Sequence, residues 1–250
     1  MSAIEQTAAR LRELRLATMA QAYELQAEQP KLQEKSFDDR FALLVEAEVA
    51  GRENRKLTRL VRVAALPEKA AFEEMDNRPA RGLDKGLIST LSSCAWIKRQ
   101  QNLIIIGATG CGKTWLACAF GHQACRLKMP VAFYPASGLY EAIAEAVHDG
   151  SLPQLKLALT KPSLLILDDF GLGEMSASAA QILLDVVDRR MRTGSLLITS
   201  QYPTEKWHSF FPDPTIADAV LDRIVHQAHR MQLKGESLRK YQGRKKLEET

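Results

Sequence analysis

Eight consecutive residues, Gly107-Ala108-Thr109-Gly110-Cys111-Gly112-Lys113-Thr114, fit the spacing G-x-x-x-x-G-K-T. Glycines at 107, 110 and 112 let the backbone curl until its N–H groups converge on an anion. Lys113 supplies a cation for β- and γ-phosphate charge, and the Thr114 hydroxyl is a ligand for Mg²⁺. These eight residues and the following Trp115 are expected to wrap the phosphates of ATP and its Mg²⁺. A second set lies in Leu164-Leu165-Ile166-Leu167-Asp168-Asp169, where four apolar residues run into two adjacent carboxylates. Asp168 is placed to hold Mg²⁺, usually through water, and Asp169 to take a proton from an attacking water. Paired acids here can instead cap the next helix, but Ser176 is available for that role.

Three further positions carry weaker signals. Ser200 and Gln201 follow an apolar run, Leu196 to Thr199, and are candidates to sense a γ-phosphate; the plainer reading is a strand ending in polar residues. Arg223 in Leu221-Asp222-Arg223-Ile224 and Arg239 in Gly235-Glu236-Ser237-Leu238-Arg239 have the chemistry to stabilise charge on a transferred phosphoryl group. Taken alone, each arginine is also what a solvated surface contains.

These residues need a scaffold, and the hydrophobic pattern describes one. From residue 101 strands and helices alternate. Apolar runs at Leu103 to Ile106, Val131 to Tyr134, Leu164 to Leu167 and Leu196 to Thr199 read as buried parallel strands. Helical stretches follow at Lys113 to Lys128, Gly138 to His148, Leu152 to Leu159, Ser176 to Arg192 and Thr215 to His226. Alternation of this kind makes a doubly wound α/β sheet, with ligands at the carboxyl ends of its strands.

Before residue 101 no strand is expected. Ile4, Leu11, Leu14, Met19 and Tyr23 are spaced as one apolar face of a helix closed by Gln29-Pro30. A second helix starts at Ser36, with Asp39 as its capping partner, and continues through Phe37, Phe41, Leu44 and Ala47. Arg52, Arg55, Lys56, Arg59 and Arg62 then fall close together, opposed by Glu53. Such a run is either a solvated face or a face that contacts nucleic-acid phosphates. The expected organisation is a helical domain over 1–70, a connector over 71–100 and an ATPase domain over 101–250.

Composition narrows the class. The 250 residues are 46% hydrophobic and 26% charged with a net charge of +4, enough for a core and only mildly basic. No apolar run approaches the roughly 18 residues of a membrane span. The first residues, MSAIEQTAARLREL, carry charges without an apolar centre, so a cytoplasmic protein with no secretory signal is expected. Cys94, Cys111, Cys118 and Cys125 form no CxxC pair, and Cys118 and Cys125 are expected to be buried thiols.

The order of these motifs resembles the AAA+ ATPases, specifically the branch of bacterial helicase loaders, replication initiators and transposition helpers. The chain is similar to the IstB family of insertion-sequence ATP-binding proteins. The matching stretches are LATMAQAY from Leu16, FDDRFALLVEAE from Phe37 with its basic run, GATGCGKTWLACA, LLILDDFG and LDRIVHQAHRMQLKGESLRK from Leu221. The resemblance implies a P-loop AAA+ sheet behind an N-terminal all-helical domain. It also implies a homo-oligomer with ATP at subunit interfaces, acting on double-stranded DNA beside a cognate transposase. It makes Arg223 an arginine finger acting in trans and Arg239 a sensor arginine on the γ-phosphate. Ala108-Thr109 and Trp115 stand where many relatives have a proline-rich loop and a histidine. Asp169 stands where most of the superfamily has glutamate, and its shorter reach fits slow hydrolysis used as a switch. The alternatives are a helicase loader, whose essential surface binds a helicase, and a small-molecule kinase, which would need an acceptor pocket and lid arginines.

Overall fold

The computed structural model describes residues 2–75 and 84–234. The chain falls into two compact units, Met1–Arg59 and Leu60–Thr250. Residues 60–75 and 84–100 therefore group with the strands that follow.

The first unit is helical. Helix α1 (Ala3–Glu13) is started by a capping box, in which Ser2 Oγ accepts from Glu5 N–H while the Ser2 N–H donates to Glu5. Helices α2 (Ala17–Glu28), α3 (Pro30–Gln33) and α4 (Phe37–Ala64) follow. Ser36 Oγ accepts from the Asp39 N–H at 3.1 Å at the start of α4, as its position in the sequence suggests. The single helix expected up to Gln29 is broken instead. Arg15 adopts φ 61°, and the chain turns between α1 and α2. The expected apolar face is split by that turn: Leu14 is 68% exposed and Ile4 is also exposed. Phe37 and Phe41 are exposed as well, whereas Leu44 is buried.

What holds α2 against α4 is a buried carboxylate. Helix α2 has no side-chain cap of its own. Glu48, from the middle of α4, supplies one: its Oε2 accepts from the N–H groups of Thr18 (3.0 Å) and Met19 (3.1 Å). An anion at these orphan donors also meets the positive end of the helix. Arg52 Nε and Arg55 Nη2 donate to Oε1 of the same group at 2.9 and 3.0 Å, and Arg55 also donates to Thr18 Oγ1. Gly51 permits the approach, since a Cβ there would lie 2.2 Å from Thr18 Oγ1. Arg52 and Arg55 of the basic run thus neutralise Glu48, and Lys56, Arg59 and Arg62 follow on the same helix.

The second unit takes in the last residues of α4 and continues with a 3₁₀ turn at Phe72–Glu74, α5 (Lys85–Ser92) and α6 (Ala95–Lys98). Five strands then alternate with helices: β1 (Asn102–Gly107), α7 (Lys113–Arg126), β2 (Val131–Pro135), α8 (Ala136–Asp149), α9 (Leu152–Thr160), β3 (Leu164–Asp168), α10 (Ala177–Arg190), β4 (Ser195–Ser200), α11 (Pro214–Val225) and β5 (Ala228–Leu233). They form one parallel sheet in the order β2-β3-β4-β1-β5. The four expected strands are present. The fifth, β5, was not expected, because an edge strand with His229 and Arg230 has no continuous apolar run. Strand β4 sits between β1 and β3, which brings its carboxyl end beside both motif strands.

At the opposite end of the sheet a buried arginine, Arg190, donates to the carbonyls of Leu159, Pro162, Ser163 and Ser195, tying α9, β3 and β4 together. Burial pulls its pKa down to about 10. All four cysteines are buried free thiols, and burial raises Cys118 to about 12. Among the described residues no helix is long and apolar enough to cross a membrane.

Glu48 generates a test of the helical unit. The Arg52 hydrogen bond holds its pKa down, from an ordinary 4.5 to about 2. A depressed carboxylate stabilises fully above its unfolded pKa and loses that contribution as pH falls towards the folded value. Glu48→Gln should therefore destabilise the full chain by about 2 kcal/mol at pH 7. The gap between parent and variant, followed by helical circular dichroism in urea, should close between pH 4.5 and 2. A gap independent of pH would contradict this role for Glu48.

Candidate active site

The phosphate loop connects the last residue of β1 to the first of α7, so its amides and the positive end of α7 point to one place. Gly110 and Gly112 have φ of 81° and 92°, the left-handed region that a side chain makes costly. Gly107 has a different reason: a Cβ would lie 2.7 Å from Cys111 Sγ and 2.8 Å from the Leu233 carbonyl. Lys113 is buried, and its Nζ donates to the Ala108 carbonyl at 3.1 Å, folded back over the loop. Burying an ammonium on one carbonyl is expensive unless an anion joins it. A phosphate drawn into the loop would offset that cost.

Asp168 ends β3, buried and facing the loop. The Thr114 hydroxyl donates to its Oδ2 at 2.8 Å, and the Thr199 hydroxyl donates to its Oδ1 at 2.6 Å. Burial raises its pKa, opposed by these two hydroxyl bonds and by Lys113, with neighbouring Asp169 adding to the rise. Asp169 comes next with φ 55°, a left-handed conformation that Asp tolerates better than most residues. Its N–H donates to Thr199 Oγ1 at 2.9 Å, and the Phe170 N–H donates to the Thr199 carbonyl at 2.8 Å. The Phe170 ring is buried against Trp207, with centroids 4.9 Å apart. Gly171 follows at φ 91°. The backbone thus turns sharply after β3 and leaves Asp169 partly exposed at the strand end.

Strand β4 and the residue after it contribute three consecutive side chains. Thr199 holds the two acids. Ser200 is buried, donating to the Phe170 carbonyl at 2.6 Å and accepting from the Tyr202 N–H. Gln201 reaches the phosphate loop, where its Oε1 accepts from the Thr109 hydroxyl at 2.7 Å. Of the two sensing candidates, Ser200 has its hydroxyl engaged within the fold and Gln201 touches the loop. Ser176 caps α10 by accepting from the Ala179 N–H, so the acids are not needed there.

Arg223 lies elsewhere. It is in the last turn of α11, whose end is tied to the first residue of β1 by Asn102 donating to the Ile224 carbonyl at 3.1 Å. The phosphate loop leaves the other end of that strand, roughly 17 Å away. Arg223 pairs with Asp188 and donates to the Ala219 carbonyl. It borders an open groove of about 1250 Å³ that also presents Lys161, Arg189 and Arg192. Arg239 lies outside the described residues.

A family model described as IstB-like ATP binding protein matches residues 9–246. The chain belongs to this family. It is 41% identical over 236 residues to y4pL, a putative insertion sequence ATP-binding protein of Sinorhizobium fredii, covering 94% of this chain and 96% of that one. Among solved structures it is similar to AMPPCP-bound DnaA from Aquifex aeolicus, with TM-score 0.59 and 17% identity over 74% of this chain and 57% of that one. It is also similar to the DnaC helicase loader, with TM-score 0.52 and 18% identity over 59% of this chain and 86% of that one. At such identities the likeness is one of fold, and the fold is AAA+. The family is described by ATP binding, and the loop at residues 107–114 is the candidate place for it.

The residues present suit Mg²⁺. Thr114 Oγ1 and Asp168 Oδ2 are hard oxygens that already converge. Among the described residues no group of three or more His, Cys, Asp or Glu is placed to hold a metal. A donor set this small matches an ion that takes its other ligands from phosphate and water. Bound there, Mg²⁺ would neutralise charge shared by the β- and γ-phosphates. The residue this IstB-family sequence did not advertise is Thr199, because a threonine in an apolar strand reads as β-branched filling.

Lys113 gives the direct test. Lys113→Ala should lower ATP affinity at least about tenfold, read by tryptophan fluorescence or calorimetry, because the buried cation and its bond to phosphate disappear together. Unchanged affinity would remove Lys113 from the site.

Proposed function

We propose that this chain is an oligomeric, DNA-binding ATPase that helps a cognate transposase capture target DNA, switched by ATP binding and hydrolysis. The observation that carries the reading is the convergence of Lys113, Thr114, Asp168, Asp169 and Gln201 at one sheet end, with Arg223 at the other. Lys113 and the loop amides hold the β- and γ-phosphates. Thr114 and Asp168 hold Mg²⁺. The Asp169 carboxylate takes a proton from water as the water oxygen bonds to the γ-phosphorus; the bond to the bridging oxygen breaks and ADP leaves. Gln201 exchanges its bond with Thr109 for the γ-phosphate.

Arg223 cannot reach its own phosphate loop across the length of β1. It acts instead on the ATP of a second copy, so nucleotide at the subunit interface assembles the homo-oligomer and hydrolysis dismantles it. Arg239 is assigned the remaining bond to the γ-phosphate. Lys56, Arg59 and Arg62 are the DNA-phosphate ligands, with Arg52 and Arg55 bound mainly to Glu48. The insertion-sequence names of the relatives support the transposition role. The proposed setting is the cytoplasm, where target DNA and transposase meet.

The test is ATP turnover and DNA affinity measured together. Turnover should rise on adding double-stranded DNA without any small-molecule acceptor. Lys56→Ala with Arg59→Ala should weaken binding to all DNA sequences alike and remove most of that stimulation. The slope of log affinity against log salt should flatten by about 0.9 for each DNA phosphate the variant no longer neutralises. Parental affinity and slope in the double variant would place the DNA-binding surface elsewhere. Turnover indifferent to DNA would count against the proposed function.

A further inference from the structure

Both acids of the site depend on one hydroxyl. Thr199 is fully buried in β4, paired with Ile105 of β1 on one side and next to the end of β3 on the other. Filling that space needs only a β-branched side chain, and valine has nearly the same shape. The hydroxyl is what differs, and both its proton and one lone pair are engaged. It donates to Asp168 Oδ1 at 2.6 Å and accepts from the Asp169 N–H at 2.9 Å. The first bond selects the rotamer of the Asp168 carboxylate. The second satisfies the amide of a residue held at φ 55°, a conformation that persists only when its surroundings enforce it.

The two hydroxyls on Asp168 are not equivalent. Thr114 belongs to the phosphate loop, so its bond to Oδ2 is the one that would be exchanged on binding Mg²⁺ and nucleotide. Thr199 belongs to a central strand outside the phosphate loop, so its bond to Oδ1 would persist. It keeps the carboxylate aimed while the opposite oxygen changes partner. The same hydroxyl fixes where the chain turns, and hence where the next carboxylate stands.

We propose that Thr199 is the positioning residue of this ATPase, one hydroxyl that orients Asp168 for the metal and Asp169 for the attacking water. The inference rests on the reading of Asp168 and Asp169 given under the proposed function. Misplacing a reacting group by about 1 Å can cost on the order of a hundredfold in rate. Losing the hydroxyl should therefore act on turnover far more than on nucleotide affinity, because the phosphate loop itself is untouched.

Full-length Thr199→Val, Thr199→Ser and Asp169→Asn should be compared for kcat, KM and ATP affinity by tryptophan fluorescence across a Mg²⁺ series. Thr199→Val should lower kcat by about tenfold to a hundredfold. It should leave ATP affinity at saturating Mg²⁺ within about threefold of the parent. It should also raise severalfold the Mg²⁺ concentration giving half the full affinity, a binding readout independent of turnover. Thr199→Ser, which keeps the hydroxyl, should recover most of both losses. If the valine variant does not fold, Thr199→Cys, with similar volume and a weak donor, carries the same comparison. Parental kcat in Thr199→Val, or an equal loss in Thr199→Ser, overturns the proposal. Parental turnover in Asp169→Asn would instead overturn the assignment of the base, and the two failures are thereby told apart.

Discussion

The site depends on the carboxylate of Asp168 being held from two directions. One hydroxyl comes from the phosphate loop and the other from β4, and each takes one oxygen. This arrangement is possible only because β4 lies between β1 and β3. Were β1 and β3 adjacent, Asp168 could still face Thr114, but no third strand would arrive beside it carrying a polar terminus. Inserting β4 supplies Thr199 for the acids, Ser200 for the turn after them and Gln201 for the phosphate loop. A parallel sheet exposes polar chemistry only at its strand ends, and this fold uses three neighbouring ends at once.

The other end of the sheet is built by the opposite means. Arg190 satisfies four backbone carbonyls within the protein, and Gly194 leaves room for it, since a Cβ there would lie 2.8 Å from the guanidinium. A buried cation with such partners is a structural fastener rather than a site. Next to it Arg223 is partly exposed at the rim of a groove, held by one carboxylate, Asp188. An exposed pair of this kind is worth at most about 1 kcal/mol, so a triphosphate of higher charge can displace it. The phosphate loop and Arg223 therefore stand at opposite ends of the sheet.

Much of this was legible in the sequence because the chemistry is tied to short-range geometry. The glycines of the phosphate loop, Lys113, Thr114 and the acids after Leu167 lie at fixed distances from strand ends, and the apolar runs marked those ends. Elements decided by long-range packing were harder to read. Strand β5 is an edge and alternates, so it offered no continuous run. The carboxylate that caps α2 after its break from α1 lies thirty residues away in sequence. That carboxylate also explains the basic run differently: Arg52 and Arg55 have the look of phosphate ligands until Glu48 is seen to need both. Thr199 and Arg190 were invisible for the same reason. Their residue types are ordinary for a strand and a helix end, and only the fold shows which atoms they meet.

The central claim is that each active site is shared between two copies of the chain. It is tested most directly by mixing Lys113→Ala, which lacks the nucleotide site, with Arg223→Ala, which lacks the arginine, and measuring ATP hydrolysis beside the mass of the assembly. Each variant alone should be nearly inactive. In an equal mixture about a quarter of the head-to-tail interfaces join an intact nucleotide site to an intact Arg223, so hydrolysis should return to a substantial fraction of the parent's. A mixture that co-assembles yet hydrolyses no faster than its separate components, or an Arg223→Ala variant that is fully active alone, would contradict the shared site.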